Sequence, residues 1–440
     1  MERSEFRNEL FRIARELGCE AAETYYEESE SFSASVQNAE LEQYKVAKEC
    51  GLNLRVKYGG KDGYAYTESF DDPRALVCRA IDNARVIEST DSHPMIGAQS
   101  YAPVAVRATP LEGVSVPDKI AMALGIEQKA LAFDPRIRRV QTCEVETGHS
   151  RFELHNTLGL CAERESNEAA LVLSAVAESD GVVKDGFAAR LNSRADDVDG
   201  LVRETAQNAL FKLSAAPVET GTYRVLFKNS AAAMFLFPFV PLFSAEEAQK
   251  GRSLLAGREG EKIASDCFTL WDDPFHPYAP RAFDGEGYPT RKKAIVENGV
   301  FQTMLHNTKT ALKAGTESTG NARRRGASPV GVGPTVLSVE SGEGSYDEML
   351  QKLGDGLMLD DFGGLHAGVN QISGDFSLMA SGALIRGGKP VRAVDRITIA
   401  GNIYALLNEI EAVGADPAFT VYGAIESPSL LISVLSVAGK

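Results

Sequence analysis

Apolar positions at the N-terminus first repeat with the period of a helix. The residues that share one helical face are Phe6, Leu10, Ile13, Ala14 and Leu17. This spacing predicts a first helix. Gly18 follows at the place where a helix often ends in a left-handed residue.

Further along, the period changes to two, which is typical of half-buried strands. Apolar and polar residues alternate at 32–36 and again at 52–58. The glycines within 59–63 predict a hairpin. Asp72 and Pro73 then predict the N-cap and first turn of a second helix. The first unit is therefore predicted as helix, strands, helix.

The same order of elements is predicted a second time. Residues 88–116 contain three prolines and no sustained period, which indicates a linker. A helix over 120–133 is followed by strand-like runs over 136–190, and by another helix whose apolar face extends from Val198 to Leu213.

From Thr222 onward the chain is rich in glycine and in short strand candidates. We therefore predict an α+β fold with two helix-strands-helix units followed by a larger β-rich C-terminal domain. The predicted divisions are an N-terminal unit at 1–90, a linker at 91–116, a second unit at 117–215 and the C-terminal domain at 222–440. A chain of 440 residues is also too long for one ordinary core.

Charge and composition exclude several classes of function. The formal charge of −15 argues against nucleic-acid binding, which usually needs a basic face. The dense basic run at 323–325 is predicted as a solvated loop, with a phosphate or a partner carboxylate as the alternative.

The apolar run at 231–243 is too short to span a bilayer and contains Pro238 and Pro241, so no membrane association is expected. Six scattered cysteines without a C-x-x-C pair favour reduced thiols in the cytoplasm.

The usual catalytic motifs are missing from the sequence. The six histidines form neither H-E-x-x-H nor H-E-x-x-x-H, so no zinc-peptidase motif is present. No G-x-S-x-G elbow and no glycine-rich phosphate loop appear. The carboxylates that could pair as acid and base are Asp284, Glu286, Asp360, Asp361 and Asp375. Carboxylates in glycine-rich loops are more typical of turns. We predict no catalytic residue, metal or cofactor in this chain.

Residues 250–264 have the sequence K-G-R-S-L-L-A-G-R-E-G-E-K-I-A. This segment resembles the stretch that follows the zinc-binding helix in TldD proteins of the TldD/PmbA family. Counting back without gaps, the family's H-E-x-x-x-H positions fall on Leu236, Phe237 and Pro241. These side chains offer no lone pair to a metal. That replacement is the pattern expected of the PmbA (TldE) branch.

Other segments resemble the same branch, whose members are also described as modulators of DNA gyrase. They are D-G-E-G at 284–287, P-T-R at 289–291, N-G-V at 298–300, L-H-N at 305–307, A-G-T-E-S-T-G-N at 314–321 and S-G-D-F-S at 373–377, with Gly382 and Arg386. Because these motifs occur in order, the resemblance extends from about residue 222 to the C-terminus.

The resemblance implies a zinc-bearing TldD-like partner. The pair would form a cytosolic peptidase for unfolded peptides, including a microcin precursor and an antitoxin, with this chain as the inactive subunit. An extended peptide could be bound through backbone hydrogen bonds. The candidate groove residues are Thr319, Gly320, Asn321, Gly374, Asp375, Phe376 and Ser377. The alternative is that they only form turns.

Two other functions remain open at this point. The chain could be an independent binding protein, such as a homodimer, that captures peptides or another partner without hydrolysis. It could also be an enzyme whose metal site is assembled from distant residues such as His306 and His366.

Overall fold

The first helix forms on the apolar face that the sequence predicts. The computed structural model describes residues 1–88, 93–324, 330–420 and 425–440. Helix α1 (Arg3–Glu16) buries Phe6, Leu10, Ile13 and Ala14. Gly18 has a φ of +83°, as expected for a residue that ends a helix.

The N-terminal half is organised around one antiparallel sheet with the strand order β3-β2-β1-β4-β5-β6. Its elements are β1 (Ala21–Gln37), β2 (Glu40–Tyr58), β3 (Lys61–Thr67), α2 (Pro73–Val86), α3 (Val116–Phe133), β4 (Ile137–Asn156), β5 (Cys161–Ser179), β6 (Val182–Leu191) and α4 (Val198–Lys212). The predicted order of helix, strands and helix is confirmed twice, with α3 beginning four residues before the predicted start. Since β1 pairs with β4, the two units share a continuous sheet.

Each of the two helix-strands-helix units has a glycine at the point where its last strand packs on its last helix. A Cβ on Gly63 in β3 would lie 1.9 Å from the carbonyl oxygen of Ala80 in α2. A Cβ on Gly186 in β6 would lie 2.1 Å from the carbonyl oxygen of Thr205 in α4. These backbones therefore approach each other more closely than any side chain allows.

We expect Gly63→Ala and Gly186→Ala each to lower the free energy of unfolding by about 1–3 kcal/mol, because the added methyl forces strand and helix apart. Gly148→Ala is the control, since its Cβ would meet its nearest neighbour at 3.8 Å. Thermal unfolding followed by circular dichroism checks this prediction. Equal midpoints for all three variants would contradict it.

The C-terminal half contains shorter strands. Its elements are β7 (Gly221–Phe227), α5 (Asn229–Leu236), α6 (Ala245–Gln249), β8 (Leu270–Asp272), β9 (Lys293–Glu297), β10 (Val300–Phe301), α7 (Thr308–Ala314), β11 (Ala322–Arg323), β12 (Gly331–Val332), β13 (Leu337–Val339), α8 (Tyr346–Leu353), β14 (Gly356–Gly363), β15 (Asp375–Arg386), β16 (Lys389–Asn402), α9 (Ile403–Asn408), β17 (Ile410–Val413), β18 (Ala418–Phe419), β19 (Ile425–Ser427) and β20 (Leu430–Ala438). The α+β class with a larger β-rich C-terminal part is confirmed.

Two mixed sheets build this half. One has the order β16-β15-β14-β7-β20-β17, and β16 also pairs with β20, so five strands close into a ring. The other has the order β10-β9-β8-β13-β19-β18. A cluster of aromatic rings fills the core beside them, and its members are Phe227, Phe235, Phe239, Phe362 and Phe376. The predicted domain boundaries remain a prediction.

The apolar run at 231–243 lies against this core. It forms α5 and then a 3-10 helix, Phe237–Phe243. Ala231, Phe235, Phe239 and Leu242 are buried there. Among the helices of the described residues, none is both long and apolar enough to cross a bilayer.

Candidate functional site

The three positions that align with the zinc motif lie where α5 changes into a 3-10 helix. Proline at 238 has no N–H to continue the α-helical hydrogen bonding, and Pro241 lies inside the 3-10 segment. Leu236 is half-buried against the core. Phe237 is 42% exposed, and it faces a cleft together with Pro241.

This cleft has a volume of about 1710 Å³. The helical segment that carries Phe237 and Pro241 lines one part of it, and residues 361–362, 364–372 and the start of β15 line another. Its apolar lining consists of Met234, Phe237, Pro238, Val240, Pro241, Leu305, Val332, Phe362, Leu365, Ala367, Val369, Ile372 and Phe376. A cleft of this size and apolarity can accept several residues of an extended chain.

The charged groups of the cleft are mostly acidic. Glu246, Glu247, Asp361 and Asp375 line it, together with Arg252 and His366. The Arg252 guanidinium donates to both carboxylate oxygens of Glu247, at 2.6 and 2.9 Å. Hydrogen bonds from Asn402 and Ser373 lower the pKa of Asp375. The Asp375 carboxylate is therefore charged at neutral pH.

Part of the predicted groove does line this cleft. Asp375, Phe376 and Ser377 all contribute to its wall. The Phe376 ring is buried edge-on against Phe235, with 5.0 Å between the ring centroids. Gly374 lies just before them with a φ of +80°, and a Cβ there would approach Ile403 to 2.7 Å. Gly374 therefore shapes the turn that delivers the following residues to the cleft.

The structure does not bring Thr319, Gly320 and Asn321 to the cleft. The Thr319 hydroxyl donates to the Asn321 amide oxygen at 2.7 Å, and the Asn321 amide donates to buried Asp272 at 2.7 Å. A Cβ on Gly320 would lie 2.8 Å from a backbone oxygen. Buried polar side chains must find partners inside the protein. These residues are internal supports rather than groove residues.

The D-G-E-G segment is also internal. Asp284 accepts hydrogen bonds from the backbone N–H groups of Glu286, Tyr288 and Ala322. Glu286 accepts one from the Thr308 N–H and contacts the His93 ring. Burial and the nearby Glu286 charge raise the pKa of Asp284. Because these contacts use the carboxylates to hold loops together, the pair serves the fold.

The basic run at 323–325 is only partly described, since Arg325 lies outside the described residues. Arg323 donates to the Pro334 carbonyl at 2.8 Å. Arg324 is buried and binds the Glu23 carboxylate at 2.6 Å. The prediction of a solvated loop is therefore wrong for Arg324, whose side chain binds a carboxylate of the N-terminal sheet.

A zinc ion does not fit the motif positions. The side chains of leucine, phenylalanine and proline provide no nitrogen, oxygen or sulfur ligand, and Pro238 and Pro241 lie in a 3-10 segment in place of a regular α-helix. No peptidase step through zinc follows from these residues.

One group of possible metal ligands lies elsewhere. In the described part of the chain, a single set of three side chains has ligand atoms within 4.8 Å of one another: His155, Cys161 and Glu163. His155 is buried, and this burial lowers the pKa of its ring. The set lies at the β4–β5 hairpin and contributes no residue to the cleft. Among the residues that the structure describes, His306 and His366 belong to no such group.

Comparison with known proteins agrees with the motifs. Family models described as PmbA/TldA metallopeptidase domain 1, central domain and C-terminal domain match residues 22–84, 109–213 and 220–439. Metalloprotease PmbA of Escherichia coli O157:H7 is 25% identical, over 96% of this chain and 93% of its own length. A metalloprotease of Methanothermobacter thermautotrophicus is 27% identical, over 88% and 86%.

Solved structures share the whole fold. A Thermotoga maritima protein described as a candidate modulator of a DNA gyrase is 32% identical, with a TM-score of 0.92 over 99% of this chain and 100% of that one. TldE from Thermococcus kodakarensis has the same fold, with a TM-score of 0.90 at 24% identity over 99% and 100%. The chain therefore belongs to the PmbA/TldD metallopeptidase family, in which it resembles the PmbA (TldE)-like members.

Proposed function

We propose that this chain is a non-catalytic, PmbA (TldE)-like subunit that assembles in the cytoplasm with a zinc-bearing TldD-like homologue. The observation that carries the proposal is the set of apolar residues at the motif positions, two of which, Phe237 and Pro241, face the 1710 Å³ cleft. Because the motif positions at this cleft carry no metal ligand, the cleft can bind a substrate without cleaving it.

The proposed substrate is an extended, unfolded peptide of the microcin-precursor or antitoxin type. The apolar lining can cover side chains of varied sequence, and Gly364, where a Cβ would meet no atom within 4 Å, leaves room for a second backbone. Binding through main-chain hydrogen bonds needs little side-chain specificity. Within the pair, this chain shapes the chamber, and the partner supplies zinc.

Co-purification with a family member that carries H-E-x-x-x-H tests the proposal. We expect a stable complex, cleavage of an unfolded peptide by the mixture, and no cleavage by this chain alone. The measurement is chromatographic detection of peptide fragments for each component and for the mixture, with and without a chelator. Chelator-sensitive cleavage by this chain alone would contradict the subunit role. A complex of this chain with itself that binds peptide without cleaving it would favour the homodimeric alternative.

Metal analysis needs one additional control. Zinc retained by the isolated chain could come from the cluster at His155, Cys161 and Glu163. Metal content should therefore be measured in the wild type and in Cys161→Ser. Zinc that persists at one ion per chain in Cys161→Ser would contradict the prediction of a metal-free cleft.

The cleft itself can be tested with Phe237→Glu. A charge on this exposed apolar ring position should oppose binding of an apolar peptide, so we expect cleavage by the mixture to fall by about tenfold or more. Phe275→Glu is a matched control, because Phe275 is 40% exposed and lies outside the cleft. Peptide-fragment assays on equal amounts of complex give the comparison. Equal rates for the two variants would remove the cleft from the proposal.

A further inference from the structure

A second cavity lies between the N-terminal sheet and residues 279–283. It shares no lining residue with the cleft. It has two adjoining lobes of about 340 and 260 Å³. The residues that border both lobes are Arg151, Arg164, Glu165, Pro280 and Arg281. Arginine is therefore the dominant charged residue where the two lobes meet.

Two of these arginines have no hydrogen-bonding or ionic partner among the described residues. The Arg164 guanidinium lies over the Phe152 ring, 4.5 Å from its centroid, and 5.8 Å from the centroid of Phe283. Within the described residues, neither Arg164 nor Arg281 has a side-chain hydrogen bond or an ion pair. Both arginines are half-buried, and an arginine partly withdrawn from water is normally paired with a carboxylate or bound to several acceptors.

The electrostatic cost of this arrangement is visible in the pKa values. Burial lowers the pKa of Arg164. Burial and the neighbouring Arg164 charge lower the pKa of Arg281 to about 9. Arg107, on the same wall, also has a pKa lowered by burial. The protein therefore holds several guanidinium groups together in a place that does not favour positive charge.

The nearby carboxylates relieve this charge only in part, because none of the described ones forms an ion pair with Arg164 or Arg281. Glu163 and Glu165 lie 3.2 and 3.7 Å from the Arg151 guanidinium. Glu27 accepts a hydrogen bond from the Tyr25 hydroxyl at 2.8 Å. Glu168 is exposed and lies beyond ion-pair distance of Arg281. The positive charge of the cavity thus exceeds what its own wall neutralises.

We propose that this cavity is a binding site for a small molecule that carries a carboxylate or phosphate group, with the Arg164 and Arg281 guanidinium groups as its ligands. A planar guanidinium binds either oxyanion through two parallel hydrogen bonds. The rings of Tyr101 and Phe283 line the same lobe, so the rest of the ligand contacts an aromatic wall. The volume of the cavity suits a metabolite-sized molecule rather than a peptide chain.

Calorimetric titration and thermal unfolding of the full chain test this site. The probes are inorganic phosphate and succinate, each compared with sodium chloride at the same ionic strength. We expect saturable binding of at least one oxyanion and a rise in midpoint temperature that chloride does not reproduce. Binding of phosphate alone, or of succinate alone, assigns the preferred group. The same response to all three salts would overturn the proposal.

Variants locate the site. Arg164→Gln and Arg281→Gln should each weaken binding by about tenfold or more. Without the oxyanion, both variants should be at least as stable as the wild type, because each removes an unpaired charge that is partly withdrawn from water. Arg138→Gln, an exposed arginine on β4, should bind like the wild type. Full binding by Arg164→Gln and Arg281→Gln, or a large loss of their stability without ligand, would show that the two arginines serve the fold instead.

Discussion

Replacement of Asp272 with alanine is expected to lower the free energy of unfolding by about 3–5 kcal/mol. Asp272 is fully buried at the end of β8, and its carboxylate lies 2.7 Å from the Lys293 ammonium. It also accepts hydrogen bonds from the Asn321 side chain and the Thr335 N–H. Alanine would leave the buried Lys293 charge without compensation, which is more costly than the loss of an exposed pair.

The chain provides its own probe for this experiment, because Trp271 is its single tryptophan and precedes Asp272 directly. Urea unfolding followed by tryptophan emission therefore reports on β8 and its surroundings. Asp266→Ala is the control, since Asp266 pairs with Lys262 and both side chains are more than half exposed. Its effect should stay below about 1 kcal/mol. If Asp272→Ala lowered the free energy of unfolding as little as Asp266→Ala, Lys293 would have found another partner.

The periodic segments were predictable because local spacing determines which face of an element becomes apolar. The face of α1 and the Asp72 cap on α2 follow directly from the sequence, and the Asp72 carboxylate does accept from the Ala75 N–H. The continuous sheet that joins the two units could not be predicted from the sequence. The pairing of β1 with β4 joins residues more than a hundred positions apart, and alternation of apolar residues specifies a strand without naming its neighbour.

The candidate site was predictable where a gap-free count was possible. Residues 250–264 place the motif on Leu236, Phe237 and Pro241, and the structure shows Phe237 and Pro241 at the cleft. Thr319 and Asn321 were different, because a motif carries no information about which way its side chains face. The three-dimensional structure shows that the Asn321 side-chain amide donates a hydrogen bond to Asp272 in the interior.

The arginine cavity also lay outside the reach of sequence patterns. Arg164 belongs to β5 and Arg281 to an irregular segment more than a hundred residues later. Each looks like an ordinary solvated cation in its own neighbourhood. Their proximity arises when residues 279–283 pack on the face of the N-terminal sheet through Phe283, which contacts Tyr101 and Phe152. The same packing creates the ionic contacts between the two halves.

One of these ionic contacts is made by β1 of the N-terminal sheet. Glu23 on β1 is buried between the guanidinium groups of Arg324 and Arg55, at 2.6 and 3.9 Å. Arg55 also pairs with Asp62 at 3.0 Å. Because Arg324 comes from the C-terminal half, Glu23 links the sheet to the segment that supports the cleft. Buried links of this kind depend strongly on both partners.

Glu23→Ala should therefore lower the free energy of unfolding by about 3–5 kcal/mol, because Arg324 would remain buried without a counter-charge. Glu30→Ala is the control on the same strand, since Glu30 pairs with Lys48 and both side chains are more than half exposed. Urea unfolding followed by circular dichroism gives both values. We expect the control to change stability by less than about 1 kcal/mol.

A double variant separates the charge from the shape of this link. Glu23→Met combined with Arg324→Met removes both charges and keeps apolar volume, and buried pairs replaced in this way often lose little stability. We therefore expect the double variant to be more stable than Glu23→Ala by about 2 kcal/mol or more. If Glu23→Ala alone costs less than about 1 kcal/mol, the Arg324 charge reaches water in the variant, and this link contributes little to holding the two halves together.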